Sequence, residues 1–232
     1  MRLGMVTYLW GAKWELPELI KNCEQTGFEG VELRSTHAHG VEVSLDDKQR
    51  SEVRKRFEDS SVTCVGLGSA CEYHSPDPAV LKKNIDLTKE FIILSHDVGG
   101  SGVKVRPNGF NTGEEQSRTI ERIGKVLREC GEFALNYGQQ LRLEVHGHGT
   151  QDPAVIRKII DIADNDQVRV CWNSNPAEVQ EDSIAAPFRL LQDSFSDVVH
   201  IHDLYDEAYP YRELFSLLRN IDYAGWCLSE SP

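Results

Sequence analysis

Two periodicities alternate along the whole chain, and this alternation constrains the fold more than any other feature. Short segments of β type lie near 2–9, 30–34, 62–68, 102–106, 140–146, 167–173, 197–203 and 225–230. Helical patterns separate them. The clearest covers 112–137, where Ile120, Ile123, Leu127, Cys130 and Ala134 recur at spacings of three and four. Thr112 and Glu115 spell a capping box at its start. Asp77-Pro78 and Asp152-Pro153 read as an N-cap followed by proline at the first helical position, and Leu16-Pro17 opens the first helix less cleanly.

Eight strand-like segments in 232 residues leave about 29 residues for each, the size of one βα unit. Strict alternation calls for an α/β fold with a parallel sheet, and eight repeats call for its closure into a (β/α)8 barrel. The competing architecture is an open, doubly wound sheet. Its usual mark, Gly-x-Gly-x-x-Gly after the first strand, is missing. No linker rich in Pro, Gly or Ser interrupts the pattern, so a single domain over 1–232 is expected. The sequence stops at Pro232, directly after the eighth strand, so the last helix is expected to be absent or truncated. A groove would then expose apolar side chains on the outer faces of strands one and eight. A homo-oligomer is one expectation that follows, and a truncated chain is the other.

Asp and Glu number 37 against 25 Lys and Arg, a formal charge of −12, which disfavours a nucleic-acid partner. The longest apolar run is the four residues Phe91-Ile92-Ile93-Leu94, so no membrane span is expected. The N-terminal Met1-Arg2-Leu3-Gly4-Met5-Val6 turns polar too soon for a signal peptide, and a cytoplasmic location is expected. Six scattered cysteines with no Cys-x-x-Cys pair read as buried thiols.

Strands covered on both faces usually read as continuous apolar runs. Several here alternate instead. Leu141, Leu143 and Val145 interleave with Arg142, Glu144 and His146; Val103 and Val105 with Lys104 and Arg106; Val31 and Leu33 with Glu32 and Arg34; and Val168, Val170 and Trp172 with Arg169, Cys171 and Asn173. With helices covering the apolar parity, the polar parity points into the barrel. Such an interior serves either compensating ion pairs or a polar site at the strand C-termini, where barrel active sites lie. Glu144, Asn173, His200 and Glu230 stand at the ends of strands five to eight, at intervals of 29, 27 and 30 residues. Each interval is one repeat, so the four should converge at one mouth. Two carboxylates, an imidazole and an amide oxygen make a plausible set for Mn²⁺, Mg²⁺, Co²⁺ or Zn²⁺.

Five segments carry a resemblance. They are Gly27-Phe28-Glu29-Gly30-Val31-Glu32-Leu33, Leu143-Glu144-Val145-His146, Val170-Cys171-Trp172-Asn173, His200-Ile201-His202-Asp203 and Tyr223-Ala224-Gly225-Trp226-Cys227-Leu228-Ser229-Glu230. In order and over nearly the whole chain, they resemble the sugar phosphate isomerase/epimerase group of the xylose-isomerase-like TIM-barrel superfamily. The resemblance implies a divalent metal held by Glu144, Asn173, His200 and Glu230, and contact between His146 and substrate. It also implies an isomerase or epimerase of a small sugar or hydroxy-ketone. Glu144 and Glu230 would remove and return the proton on opposite faces, through an enediolate. Lys104 and Arg106 would either meet an anionic group of the small carbohydrate or serve as salt-bridge partners for Glu72 or Glu144. His202 joins His74, His146 and His148 in a mouth suited to polyols.

The sequence departs from that pattern on strand six, where relatives carry Trp-Asp-x-x-His and this chain has Trp172-Asn173-Ser174-Asn175-Pro176. One negative charge and a following histidine are lost there. Other readings on the same scaffold are a barrel that binds a small molecule or partner without catalysis, and a sugar dehydratase or hydrolase. An abasic-site endonuclease fits less well, given the acidic charge and the missing histidine. No Gly-x-Ser-x-Gly, P-loop or His-Glu-x-x-His occurs.

Overall fold

A strand and then a helix is the repeating unit that the alternation requires, and the computed structural model, which describes residues 1–231, contains it throughout. The strands are β1 (Arg2–Val6), β2 (Gly30–Arg34), β3 (Thr63–Glu72), β4 (Gly102–Arg106), β5 (Gln140–Glu144), β6 (Val168–Trp172), β7 (Phe195–Ile201) and β8 (Trp226–Ser229). They pair in chain order into a closed barrel, every pair parallel. The seam is β1 on β8, with Arg2 opposite Trp226 and Met5 opposite Ser229.

Around the barrel lie α1 (Leu16–Thr26), α2 (Asp47–Glu58), α3 (Pro78–Asp97), α4 (Gln116–Leu135), α5 (Pro153–Ala163), α6 (Ala185–Leu191) and α7 (Tyr211–Asn220). No helix follows β8 among the described residues. On the outer faces beside that seam Leu3 is 46% exposed, whereas Met5 and Cys227 are buried. All six cysteines are free and buried, and no helix is long and apolar enough to cross a membrane among the described residues.

Local chemistry explains most helix starts. Asp77 and Asp152 each accept a hydrogen bond of 2.8 Å from the backbone N–H two residues on, with proline following directly. The start of α4 differs from expectation. Thr112 lies outside the helix, and Glu115 takes the N-cap position without a side-chain bond. Its neighbour Glu114 takes hydrogen bonds from Thr119 Oγ1 (2.7 Å), Asn111 Nδ2 (3.0 Å) and the guanidinium of Arg122. These partners hold Glu114 down to a pKa of about 2.

The apolar parity packs outward as expected: Val31, Leu33, Val103, Val105, Leu141 and Leu143 join the core between sheet and helices. The inward side is polar on only part of the barrel. Glu32, Lys104, Arg142 and Glu144 are buried within it, yet Val6, Val65, Cys171, Val198, Trp226 and Leu228 form a separate apolar cluster. Near the N-terminal ends of the strands, the fully buried Arg142 donates to Val65 O (3.2 Å) and Ser101 Oγ (2.7 Å) and pairs with Asp197 at 2.9 Å. Gly102 is needed beside it, because a Cβ there would lie 2.8 Å from Arg142 Cζ. The barrel is thus plugged at one end, and its polar opening lies at the other.

Candidate active site

The repeat delivers its four polar residues to one mouth. Glu144 ends β5, Asn173 follows β6 directly, His200 sits one residue before the end of β7, and Glu230 follows β8. His200 Nδ1 lies 3.2 Å from Asn173 Oδ1, 3.4 Å from Glu144 Oε1 and 3.5 Å from Glu230 Oε2. One donor atom from each of Glu144, His200 and Glu230 falls within 4.8 Å of the others. Four strands therefore bring two carboxylate oxygens, an amide oxygen and an imidazole nitrogen around one point. Ser174, next to Asn173, adopts φ +52°, a backbone state that side chains other than glycine enter at some cost. Its hydroxyl donates to His200 O over 2.9 Å, which fixes β6 against β7 at this level.

Lys104 Nζ reaches Glu144 Oε2 at 3.0 Å, with both side chains nearly inaccessible. Burial opposes charge on both, and the pairing outweighs it. Lys104 stays protonated, its pKa raised by Glu144, Glu32 and Glu230, while Glu144 is held at about 2 by Lys104 and His200. Glu230 is likewise held well below the usual carboxylate range by His200, His202 and Lys104 against the effect of burial. At His200, burial disfavours charge but Cys171, Glu32 and Glu230 outweigh it, so its pKa stands well above the usual value. Of those neighbours the carboxylates supply the charge, because burial raises the Cys171 thiol and keeps it neutral.

This donor set suits a divalent cation. It offers hard oxygens and one borderline nitrogen, two formal negative charges, and a Glu144 oxygen left free by Lys104. The other expected residues sit nearby. A cavity of about 240 Å³ opens above the cluster, lined by Lys104, Arg106, His146 and His202 together with Glu144, Asn173 and Glu230. His202 Nε2 is 3.7 Å from Glu230 Oε2. Burial lowers the pKa of His146, so its ring is neutral at pH 7. Lys104 and Arg106 adopt the ion-pairing alternative: Lys104 with Glu144, and Arg106 with Glu72 at 3.5 Å.

Sequence reasoning missed four residues at the site. Tyr8, Arg34 and Asn175 line the same cavity, and Glu32 lies beneath it, 3.5 Å from His200 Nε2. Arg34 stacks over the ring of Tyr8 at 4.8 Å, and Asn175 Nδ2 donates to Val145 O. Glu32 and Arg34 share the inward parity of β2, and that parity was the available signal. Beside the site, Trp172 Nε1 donates to Tyr209 Oη (2.8 Å), which donates to Glu178 Oε2 (2.7 Å), all three buried.

The sequence profile described as xylose isomerase-like TIM barrel matches residues 20–232. The chain belongs to that family. No curated protein matches its sequence. Among solved structures, 3-keto-D-glucoside 4-epimerase from E. coli superposes with TM-score 0.83 at 16% identity, covering 99% of this chain and 91% of the other. L-ribulose 3-epimerase does so with TM-score 0.83 at 19% identity, covering 99% and 81%. The IolI protein, solved with a bound zinc atom, gives TM-score 0.82 at 17% identity, covering 99% and 88%. At these identities the likeness establishes the shared xylose isomerase-like barrel. Several of these neighbours are sugar epimerases by name.

Proposed function

We propose that this protein is a metal-assisted isomerase or epimerase of a small carbohydrate. The observation that carries the proposal is the set of three side-chain oxygens, from three different strands, within 3.5 Å of His200 Nδ1. The mouth residues Glu144, Asn173, His200 and Glu230 would hold the cation. Bound there, a divalent cation supplies Lewis acidity to a carbonyl and a neighbouring hydroxyl oxygen of substrate.

The remaining chemistry belongs to the chain. Glu144 and Glu230, ionised at neutral pH, approach the cavity from β5 and β8. One would take the proton from the carbon beside the carbonyl, and the other would return it from the second face. Lys104 fixes the rotamer of Glu144 by holding Oε2. Neutral His146 offers hydrogen bonds to hydroxyl groups, and His202 faces the same cavity. Arg34 places positive charge on the cavity wall, matched to an anionic substituent. A cavity of about 240 Å³ lies near the small end of ligand sites and suits a single small sugar.

The test has two parts. Metal content after purification without chelator should show about one divalent ion per chain. Incubation with phosphorylated and unphosphorylated ketoses in D₂O should place deuterium on the carbon beside the carbonyl, as read by NMR. Metal without exchange on any ketose would favour a binding barrel. Absence of both would overturn the proposal.

A further inference from the structure

Glu32 has no place in the chemistry above, yet it is fully buried and neither of its carboxylate oxygens has a hydrogen-bond partner. Such an arrangement is expensive unless something answers it. The atom that faces it is His200 Nε2, itself buried and without a hydrogen-bond partner, 3.5 Å from Glu32 Oε1. His200 thus has two distinct sides. Nδ1 faces Asn173, Glu144 and Glu230, and Nε2 faces Glu32 alone among the carboxylates around it.

Gly68 on β3 supports the same reading. Its backbone is not in the left-handed region, so no turn demands glycine there. A Cβ at Gly68 would come within 2.9 Å of Glu32 Oε1. The missing side chain leaves room for that carboxylate. The outward-packed Val31 and Leu33 on either side hold Glu32 to the inward parity.

We infer that Glu32 is a positioning residue that accepts the Nε2–H of His200 and so presents the Nδ1 lone pair to the cation. The inference rests on the metal-assisted reading proposed above. A neutral imidazole carries one N–H, and its hydrogen-bond partners decide which nitrogen holds it. Three acceptor oxygens surround Nδ1 and would draw the proton there, where it would block the ligand atom. Glu32 supplies the competing acceptor on the far side. Carboxylates behind metal-bound histidines act in this way in general, and their loss typically lowers metal affinity about 10–100-fold.

The experiment uses the full chain labelled with ¹⁵N-histidine, as wild type, Glu32→Leu and Glu32→Gln. Zinc affinity is measured by calorimetry, and the His200 nitrogens are followed by long-range ¹H–¹⁵N NMR with and without zinc. In the wild type with zinc, His200 should show a protonated Nε2 and a metal-bound Nδ1. Glu32→Leu should bind zinc about 10–100-fold more weakly and lose the protected Nε2–H signal. Glu32→Gln keeps an acceptor oxygen and should restore most of both. Zinc on Nε2 in the wild type would overturn the inference, and this reading stands even if Glu32→Leu fails to fold. Unchanged affinity and unchanged His200 signals in Glu32→Leu would overturn it too. If the wild type takes up no zinc, the proposed function falls. The inference falls with it, because there is then no cation to which Nδ1 is presented.

Discussion

Lys104 Nζ holds one oxygen of Glu144 at 3.0 Å, while the other oxygen lies 3.4 Å from His200 Nδ1. A single buried carboxylate is thereby divided between a fixed ammonium group and the mouth of the barrel. The ammonium orients Glu144 and keeps it ionised, and Oε1 stays free for a ligand. The arrangement makes Lys104 part of the architecture of the site, whatever else it touches.

Lys104→Met should therefore destabilise the metal-free protein at pH 7 by about 3–5 kcal/mol, because it strands a buried carboxylate. The pH dependence has a definite sign. Glu144 has a folded pKa of about 2, below its unfolded value of about 4.3. Its stabilising contribution is present above the unfolded value and is lost as pH falls toward the folded one. Urea unfolding of both forms should show the difference narrowing between about pH 4 and pH 2. A difference that is constant over that range would mean that the pair is not the source.

Glu144→Gln and Glu230→Gln should each abolish most turnover while leaving the barrel folded. Loss of a general base alone costs about 10²–10⁴ in rate, and loss of a charged ligand adds to that. Deuterium exchange into substrate, followed by NMR beside a circular-dichroism spectrum of each variant, checks both halves. A variant that retained more than about a tenth of wild-type exchange would remove that residue from the proton-transfer role.

The convergence of Glu144, Asn173, His200 and Glu230 was legible because a repeat of constant length returns equivalent residues to the same rim. Barrel closure was legible for the same reason. Glu32 and Arg34 were not singled out, although they stand in the same alternating parity, because nothing in one strand says which neighbour its inward residue will meet. The polar interior was over-read on the far side, where Cys171, Val198 and Trp226 fill the barrel; those strands also alternate, but with apolar residues on both parities. The capping box at Thr112 does not form because α4 starts later, with Glu115, the expected N3 residue, itself at the N-cap position. The chain of bonds Trp172–Tyr209–Glu178 spans two loops, and no periodicity encodes loop geometry.

Glu178 yields a prediction of opposite sign to Glu144. Burial raises its pKa to about 8 against the favourable bonds from Tyr209 and the backbone of Asn175 and Asn173. The folded state therefore binds this proton more tightly than the unfolded chain, whose carboxylate titrates near about 4.3. Stability from this group is present below the unfolded value and is lost as pH rises through about 8. Glu178→Gln cannot ionise and still offers Tyr209 an acceptor. Its stability relative to wild type should be near zero at pH 4 and should grow by a few kcal/mol by pH 8, as measured by urea denaturation. A flat difference across that range would place the Glu178 carboxyl in a wetter setting than its full burial indicates.

Asn173 is where this chain differs most sharply from the pattern that it resembles, and Asn173→Asp tests the cation site directly. The amide oxygen already lies 3.2 Å from His200 Nδ1, so a carboxylate of the same shape would reach the same point. Two effects then oppose each other. Without metal, a third carboxylate beside Glu144 and Glu230 adds like-charge repulsion, so metal-free Asn173→Asp should be less stable than wild type. With metal, the new charge is a hard anionic ligand, and affinity for Mn²⁺ should rise about tenfold or more, about 1.4 kcal/mol. Calorimetric titration of both forms, with unfolding measured in chelator and in Mn²⁺, separates the two effects. Weaker metal-free stability combined with tighter Mn²⁺ binding places residue 173 among the ligands. Equal Mn²⁺ affinity in the two forms would leave Asn173 outside the ligand set, and no binding by either form would shift the weight to a barrel that holds a small molecule without catalysis.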